Sequence, residues 1–319
     1  GERSFASSNI DHAQPAAHLR VDVDGRCAWH SLDAHLQKVA QRAASNSSPW
    51  DPTGWAMLAG RWHDLGKYRP GFQTYIRQHL DPDAHIEGRA SSAAKTHSTA
   101  GAMHALRVFE ARWKQAGTLA ARPLAYVIAG HHAGLADWHE GLSARLASPA
   151  SDTEYEESLD SCSRWHPELL TLPDQFHVHA ALSSAPGLRS KRPLAPSMWV
   201  RMLFSALVDA DFLDTEEFMD ASRAAVRSGH RPLHHYLQEL DAYLARKETS
   251  VREAGRANDP VMRARAEVLQ QCRIKARQEP GVFSLTVPTG GGKTLSSLAF
   301  ALSHAIQFAK RRVVYAIPY

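Results

Sequence analysis

Residues 62–73 read WHDLGKYRPGFQ, and the His63-Asp64 doublet inside them sets the interpretation of the whole chain. The preceding segment, from Thr53 to Leu65, has apolar residues at helical spacing and is read as a helix closing at Gly66. Adjacent helical residues point about 100° apart, so a His-Asp doublet can offer ligands to two neighbouring ions, with Asp64 as the bridge. Upstream, His35 lies on the apolar side of a helix over Ser31–Ala44, beside Leu32, Leu36 and Val39, with Ser31 as N-cap. Downstream, His97 opens a helix from Thr96 to Gln115 in THSTAG, and His131-His132 end another, Arg122 to His132, in IAGHHAG.

A final carboxylate is expected from LFSALVDADFLDTE, in a helix from Ser197 to Leu213. Asp209 and Asp211 stand two positions apart and face nearly opposite ways. Asp211 shares its face with Phe204, Leu207 and Val208, where a buried carboxylate needs a cation, so Asp211 is preferred.

Neutral imidazoles and carboxylates suit borderline divalent ions such as Mn, Fe, Co, Ni or Zn. Two ions roughly 3.5 to 4 Å apart activate a water and stabilise the leaving oxygen of a phosphodiester. Each residue also has a plainer role: His35 as a satisfied core histidine, His97 as a cap, His131 and His132 as loop residues. Four His/Asp elements on successive helices favour the metal centre. His79, His85, His104, His166, His177, His179, His234 and His235 are assigned structural roles.

The 319 residues allow about two domains. With 44% hydrophobic and 22% charged residues, the composition excludes wholesale disorder. Three scattered cysteines exclude a disulfide framework or a CxxC metal site. No apolar run is long enough to span a membrane, and the start GERSFASSNIDHAQ has no apolar signal core, so a soluble cytoplasmic protein without a membrane partner is expected. The net charge of +4 is uneven: Gly1 to Ala245 carry 24 basic and 28 acidic residues, Arg246 to Tyr319 13 and 5. That basic end suits a phosphate-rich partner or a solvated helix face.

The opening residues read as loop, and Asp137 to Pro196 as an insertion with one or two short helices. A helix from Pro232 to about Glu253 follows. The expected domains are 1–245, a metal-dependent helical domain; 246–260, a linker; and 261–319. In the last, a basic helix from Pro260 to Gln278 leads to a strand, Val282–Val287, then the turn PTGGGKT, a helix Lys293–Phe308 and a strand Arg312–Ile317. Strand, loop, helix, strand is the opening βαβ unit of a parallel α/β domain. In this context the GKT turn reads as a phosphate loop: backbone N–H groups of Gly290, Gly291, Gly292 and Lys293 wrap the β-phosphate, Lys293 reaches the β- and γ-phosphates, and Thr294 ligates Mg²⁺. The strict pattern begins with Gly, whereas Val287 stands here.

The order His35, His63-Asp64, His97, His131-His132, Asp211 resembles the HD phosphohydrolase superfamily. HDLGKYRPGFQ, HSTAGA and AGHHAGL resemble its CRISPR-associated nuclease branch, over roughly residues 18 to 215. The resemblance implies one ion held by His35, His63, Asp64 and Asp211 and a second held by Asp64, His97, His131 and His132. It also implies a catalytic role for His63, Asp64 and Lys67, the lysine toward the scissile phosphate, although a lysine after a helix end is equally natural at a surface. VPTGGGKTLSS with RVVYAIPY resembles motif I and the start of motif Ia of superfamily 2 helicases. Together the two parts are similar to the CRISPR-associated helicase-nucleases of type I systems, the Cas three family. The fold so implied is a mostly α-helical HD-type bundle followed by the truncated beginning of a RecA-like α/β helicase domain. The activity implied is cutting of the displaced single-stranded DNA with two transition ions (Mn, Ni, Co or Fe). Motion driven by ATP and Mg, after recruitment by the crRNA-guided surveillance complex (Cascade), is implied with it. Because the read sequence stops at Tyr319, before a Walker B acid or second lobe, residues 1 to 319 alone are expected to cut and not to translocate. Other readings are an HD phosphohydrolase acting on nucleotides and a non-catalytic docking module.

Overall fold

The structure is a computed structural model that describes residues 14–22, 24–79, 97–173, 176, 194–227 and 231–316. His85, His177, His179, the helix start at Thr96 and the strand end at Ile317 fall outside the described residues. The chain divides into two compact units, Gly1–Val226 and Arg227–Tyr319.

The first unit opens with an antiparallel hairpin where the sequence reads as loop: β1 (Ala16–Val21) pairs with β2 (Cys27–Ser31), Leu19 opposite Trp29. Its turn closes through Gly25 at φ 80°, a left-handed conformation that glycine adopts without a Cβ clash. The hairpin runs straight into α1 (Leu32–Ser47), whose stripe Leu32, His35, Leu36, Val39 and Ala43 is buried. Ser31 occupies the N-cap position but its side chain makes no capping bond.

Helix α2 (Trp55–Trp62) is shorter than the expected Thr53–Leu65, because the chain leaves helical geometry at Asp64 (φ −110°, ψ 22°) and tightens into a 3-10 turn, Leu65–Tyr68. Helix α3 (Pro70–His79) follows; its signal is Pro70 at a helix start, which the sequence reading passes over. The two helices expected over 96–132 are both present within α4 (Ser98–Gly130), where they meet at Lys114, whose backbone is not helical (φ 55°, ψ −141°). In the expected insertion, α5 (Ser143–Leu146) precedes a 17-residue helix, α6 (Pro149–Trp165). The Ser148 side chain accepts from Ser151 N–H and caps α6, and Tyr155 and Cys162 are buried along it. Helix α7 (Ala195–Met219) outruns the expected Ser197–Leu213, and a short α8 (Ala221–Arg227) follows it, the unit closing at Val226 within that helix. Helix α1 packs on α2 and α7, and α4 packs on α2, α6 and α7. Trp55 sits at the middle of the core, its ring edge-on to Trp199 (5.6 Å) and 6.0 Å from Phe109.

The second unit packs α9 (Leu233–Glu253) and α10 (Pro260–Lys275) against α11 (Lys293–Gln307) around Leu240, Ala299 and Leu302. The division therefore falls before α9, a helix that the sequence reading splits between the first region and the linker. The expected strands are not formed: 282–287 and 312–316 have no regular structure and join no sheet, and the hairpin β1-β2 is the sheet among the described residues. A β-branched run becomes a strand only when a neighbour takes its N–H and C=O groups, and neither segment pairs with the other. Among the described residues no helix is long and apolar enough to cross a membrane.

Among the glycines that permit close approaches in the first unit, two lie between α2 or the turn after it and α4. A Cβ on Gly101 would stand 1.8 Å from Trp62 O, and one on Gly66 2.1 Å from His97 O, both against backbone. Gly66→Ala must push the 3-10 turn away from the start of α4. We expect it to destabilise the chain by about 1–3 kcal/mol, the usual cost of overpacking, as a lowered midpoint in urea denaturation.

Candidate metal centre

Five segments converge on Asp64, the residue at which the chain turns out of α2. His35 comes from the middle of α1, His63 from the end of α2, His97 from the start of α4, His131 and His132 from just past its end, and Asp211 from α7. His35, His63, Asp64 and His97 have no solvent exposure; His131 and Asp211 retain 4% and 5%. The exit from helical geometry at Asp64 lets its carboxylate face both sides. Oδ2 lies 3.4 Å from His35 Nε2 and 3.3 Å from His63 Nε2, while Oδ1 lies 3.5 Å from His97 Nε2 and 3.3 Å from His131 Nε2. Asp211 Oδ1 completes the first side, 3.4 Å from His35 Nε2 and 3.6 Å from His63 Nε2. His132 Nε2 completes the second, 2.8 Å from His97 Nε2.

Potential ligand atoms therefore gather in two sets, His35, His63, Asp64 and Asp211 in one and Asp64, His97, His131 and His132 in the other, each within 4.8 Å. A divalent ion with bonds of about 2.1 Å spaces its ligand atoms about 3.0–3.4 Å apart, close to the distances found. His35 Nε2, His63 Nε2, His131 Nε2 and Asp64 Oδ1 are buried and have no hydrogen-bond partner, and Asp64 Oδ2 meets only the Lys67 ammonium. Buried polar atoms are ordinarily satisfied, so this concentration of unsatisfied lone pairs fits a pair of cations.

The opposite ring nitrogens are all engaged. His63 Nδ1–H donates to Gly60 O (2.8 Å), His131 Nδ1–H to Ile128 O, and His35 Nδ1–H to Asp214 Oδ2 (2.7 Å). In the neutral imidazole each bond fixes the tautomer whose Nε2 lone pair faces Asp64. Burial works against a charged His35, yet Asp211, Asp214 and Asp64 pull its pKa up to about 10. Burial also opposes charge on His63, and Asp64 and Asp211 raise it to about 9. The carboxylates respond in kind. Burial alone would push Asp64 up, but His63, Lys67 and His97 hold it well below the usual carboxylate range; His35 and His63 do the same for Asp211. On the other side, burial first, then His131 and His97, keep His132 well below the ordinary imidazole range.

Lys67 is not at a surface: it is 1% exposed, and its ammonium lies 2.7 Å from Asp64 Oδ2 and donates to Ala17 O (3.4 Å). Asp209, the less favoured acid, is exposed and accepts from Asn46 Nδ2 (2.9 Å). Asp214 is the residue that sequence reasoning missed, although it follows Asp211 by three positions on the same helix face. His18 and His30 were also passed over. They stack with centroids 5.6 Å apart, each edge-on to His35, and His30 Nε2 lies 3.5 Å from Asp214 Oδ2. With His35 they could hold an ion, but the outward nitrogen of His35 is already bound to Asp214.

In the second unit, Gly290 (φ 85°) and Gly292 (φ 86°) shape the turn before α11, with Gly292 as its N-cap. Lys293 and Thr294 begin α11 with exposed side chains, and Arg265 Nε donates to Gly290 O (2.8 Å).

A family model described as Cas3, HD domain matches residues 15–213. No curated protein matches the chain.

With His35 and His63 at about 10 and 9, both imidazoles carry protons at pH 7.5 in the metal-free chain, and an entering ion must expel them. Titrating Mn²⁺ calorimetrically in buffers of different ionisation enthalpy should show about two protons released by the set containing these residues. Because both pKa values are raised, these protons stabilise the metal-free fold fully below about pH 6.5, and that contribution is lost as pH rises through 9 to 10. The melting temperature of chelated protein should accordingly fall from pH 7 to pH 10, and added Mn²⁺ should restore it.

Proposed function

The chain belongs to the Cas3 HD-domain family, and from that membership we propose that it is a metal-dependent nuclease that cuts single-stranded DNA in CRISPR interference. A single observation carries the reading: the two oxygens of the buried Asp64 face different sets of imidazole nitrogens. A carboxylate so placed is suited to bridge two ions. In this reading His35, His63, Asp64 and Asp211 hold one ion and Asp64, His97, His131 and His132 the other. The imidazole-rich donor set favours Mn, Fe, Co or Ni over Mg or Ca. Bound ions would supply an acidified water and neutralise charge developing on the phosphodiester oxygens.

The residues of the chain do the positioning. Gly60 and Ile128 carbonyls hold His63 and His131 as Nε2 donors, and Asp214 does the same for His35. Lys67 offsets the charge of Asp64 from the side and keeps the carboxylate in place; reaching a scissile phosphate would require it to leave this ion pair. For the second unit the proposal is a nucleotide site belonging to a helicase: Gly290, Gly291, Gly292 and Lys293 cradle the phosphates of ATP, and Thr294 ligates Mg²⁺. The basic balance from Arg246 onward supports a nucleic-acid path there. Recruitment by a crRNA-guided surveillance complex, Cascade, completes the reading and leaves recognition of sequence to base pairing.

Metal-stripped protein should be inactive, and Mn²⁺, Co²⁺ or Ni²⁺ should restore cutting of labelled single-stranded DNA. Free nucleotides should remain intact; their hydrolysis in preference to DNA would overturn the substrate assignment. Asp64→Asn should lower cleavage at least about a hundredfold, beyond the loss typical of an outer-shell residue, with circular dichroism unchanged. For the second unit, Lys293→Ala should abolish binding of a fluorescent ATP analogue and leave metal-dependent cutting intact.

A further inference from the structure

Between α4 and α7 lies a groove of about 610 Å³ lined by Pro123, Tyr126, Leu135, Val200, Arg201 and Phe204. Its floor belongs to the helix face that carries Asp211. Val200, Phe204 and Asp211 recur at spacings of four and seven, so their side chains lie in one row, with Phe204 about 10 Å along the axis from the carboxylate. On the other wall Leu135 follows His132 by three residues. The groove is thus continuous along α7 with the face that bears the metal-centre carboxylate.

We propose, resting on the nuclease reading above, that this groove seats an unstacked nucleotide of the single strand next to the scissile phosphate. The two aromatic residues offer what a base takes up. The Tyr126 hydroxyl donates to Ala136 O, so the polar end of that side chain is engaged and its half-buried ring remains as surface. Phe204 is likewise half-buried, packed against the core on one side. Each base has a π-face, so stacking of this kind tolerates any sequence, as degradation of a displaced strand requires. At the rim, Arg201 is exposed and makes no hydrogen bond or ion pair among the described residues, and no carboxylate lines the groove. A guanidinium without a partner above an apolar floor is complementary to one phosphate and its base, whereas a wholly apolar partner would leave that charge unmatched.

Steady-state kinetics of the whole chain with Mn²⁺ test this, using oligo-dT and the small diester bis(p-nitrophenyl) phosphate as parallel substrates. Phe204→Ala should raise KM for oligo-dT about tenfold, the scale of one lost stacking contact, and leave hydrolysis of the small diester unchanged. Arg201→Ala should raise KM several-fold and flatten the salt dependence of DNA affinity by about 0.7 in the log–log slope, the share of one phosphate contact. A wild-type KM and salt slope in Arg201→Ala would overturn the proposal. Should Phe204→Ala lose both activities through misfolding, the exposed Arg201 decides alone. Wild-type protein that hydrolyses the small diester but not oligo-dT would overturn the single-stranded DNA reading, and this subsite with it. Normal DNA cutting with unaltered variants would remove only the subsite.

Discussion

A carboxylate with no access to water and no hydrogen-bond donor is among the least favourable groups a protein can bury, and Asp64 is such a carboxylate apart from its ionic contact with Lys67. What makes it tolerable is positive charge: protons on His35 and His63 in the metal-free chain, and divalent ions in the nuclease as proposed. Four helices of the first unit contribute to that compensation. Helices α1, α2, α4 and α7 each deliver ligand atoms or the groups that orient them, and the glycine contacts at Gly66 and Gly101 draw α2 and α4 close enough to do so. Packing and electrostatics are therefore not separable here, because the apolar core that excludes water is also what makes the site attract cations.

Much of this arrangement was readable in the chain. The order of the His and Asp elements needed only helical periodicity, and the preference for Asp211 over Asp209 needed only the question of which acid shares a face with Leu207. The acids lie as that argument requires, one buried beside His35 and the other exposed beside Asn46. Asp214 was missed because a search for ligands stops at atoms that could touch an ion, whereas this residue acts through the far nitrogen of His35. His18 and His30 were invisible for a different reason. They lie on a hairpin whose pairing is a long-range property, and without the hairpin they are histidines in a loop.

The reading went furthest astray where regular structure depends on a neighbour. The runs at 282–287 and 312–316 have strand-like composition, but composition supplies only willingness to pair, and neither segment has a partner among the described residues. Helix α11 needs no such help, since its hydrogen bonds are internal and its apolar face is covered by α9 and α10. The same contrast explains α6, a long helix inside a stretch read as mostly irregular: Ser148 and Pro149 start it locally, and Tyr155 and Cys162 anchor it.

His35 and Asp214 are 179 positions apart and meet at 2.7 Å. Closing a contact of that sequence separation costs loop entropy and requires α7 to be present. As the polypeptide leaves the ribosome, α1, α2 and α4 emerge well before α7, so the ligand cluster lacks both Asp211 and the brace on His35 until α7 has been made. A metal centre built in this order, and with it the nuclease as proposed, stays incomplete until α7 has been synthesised, a safeguard written into topology.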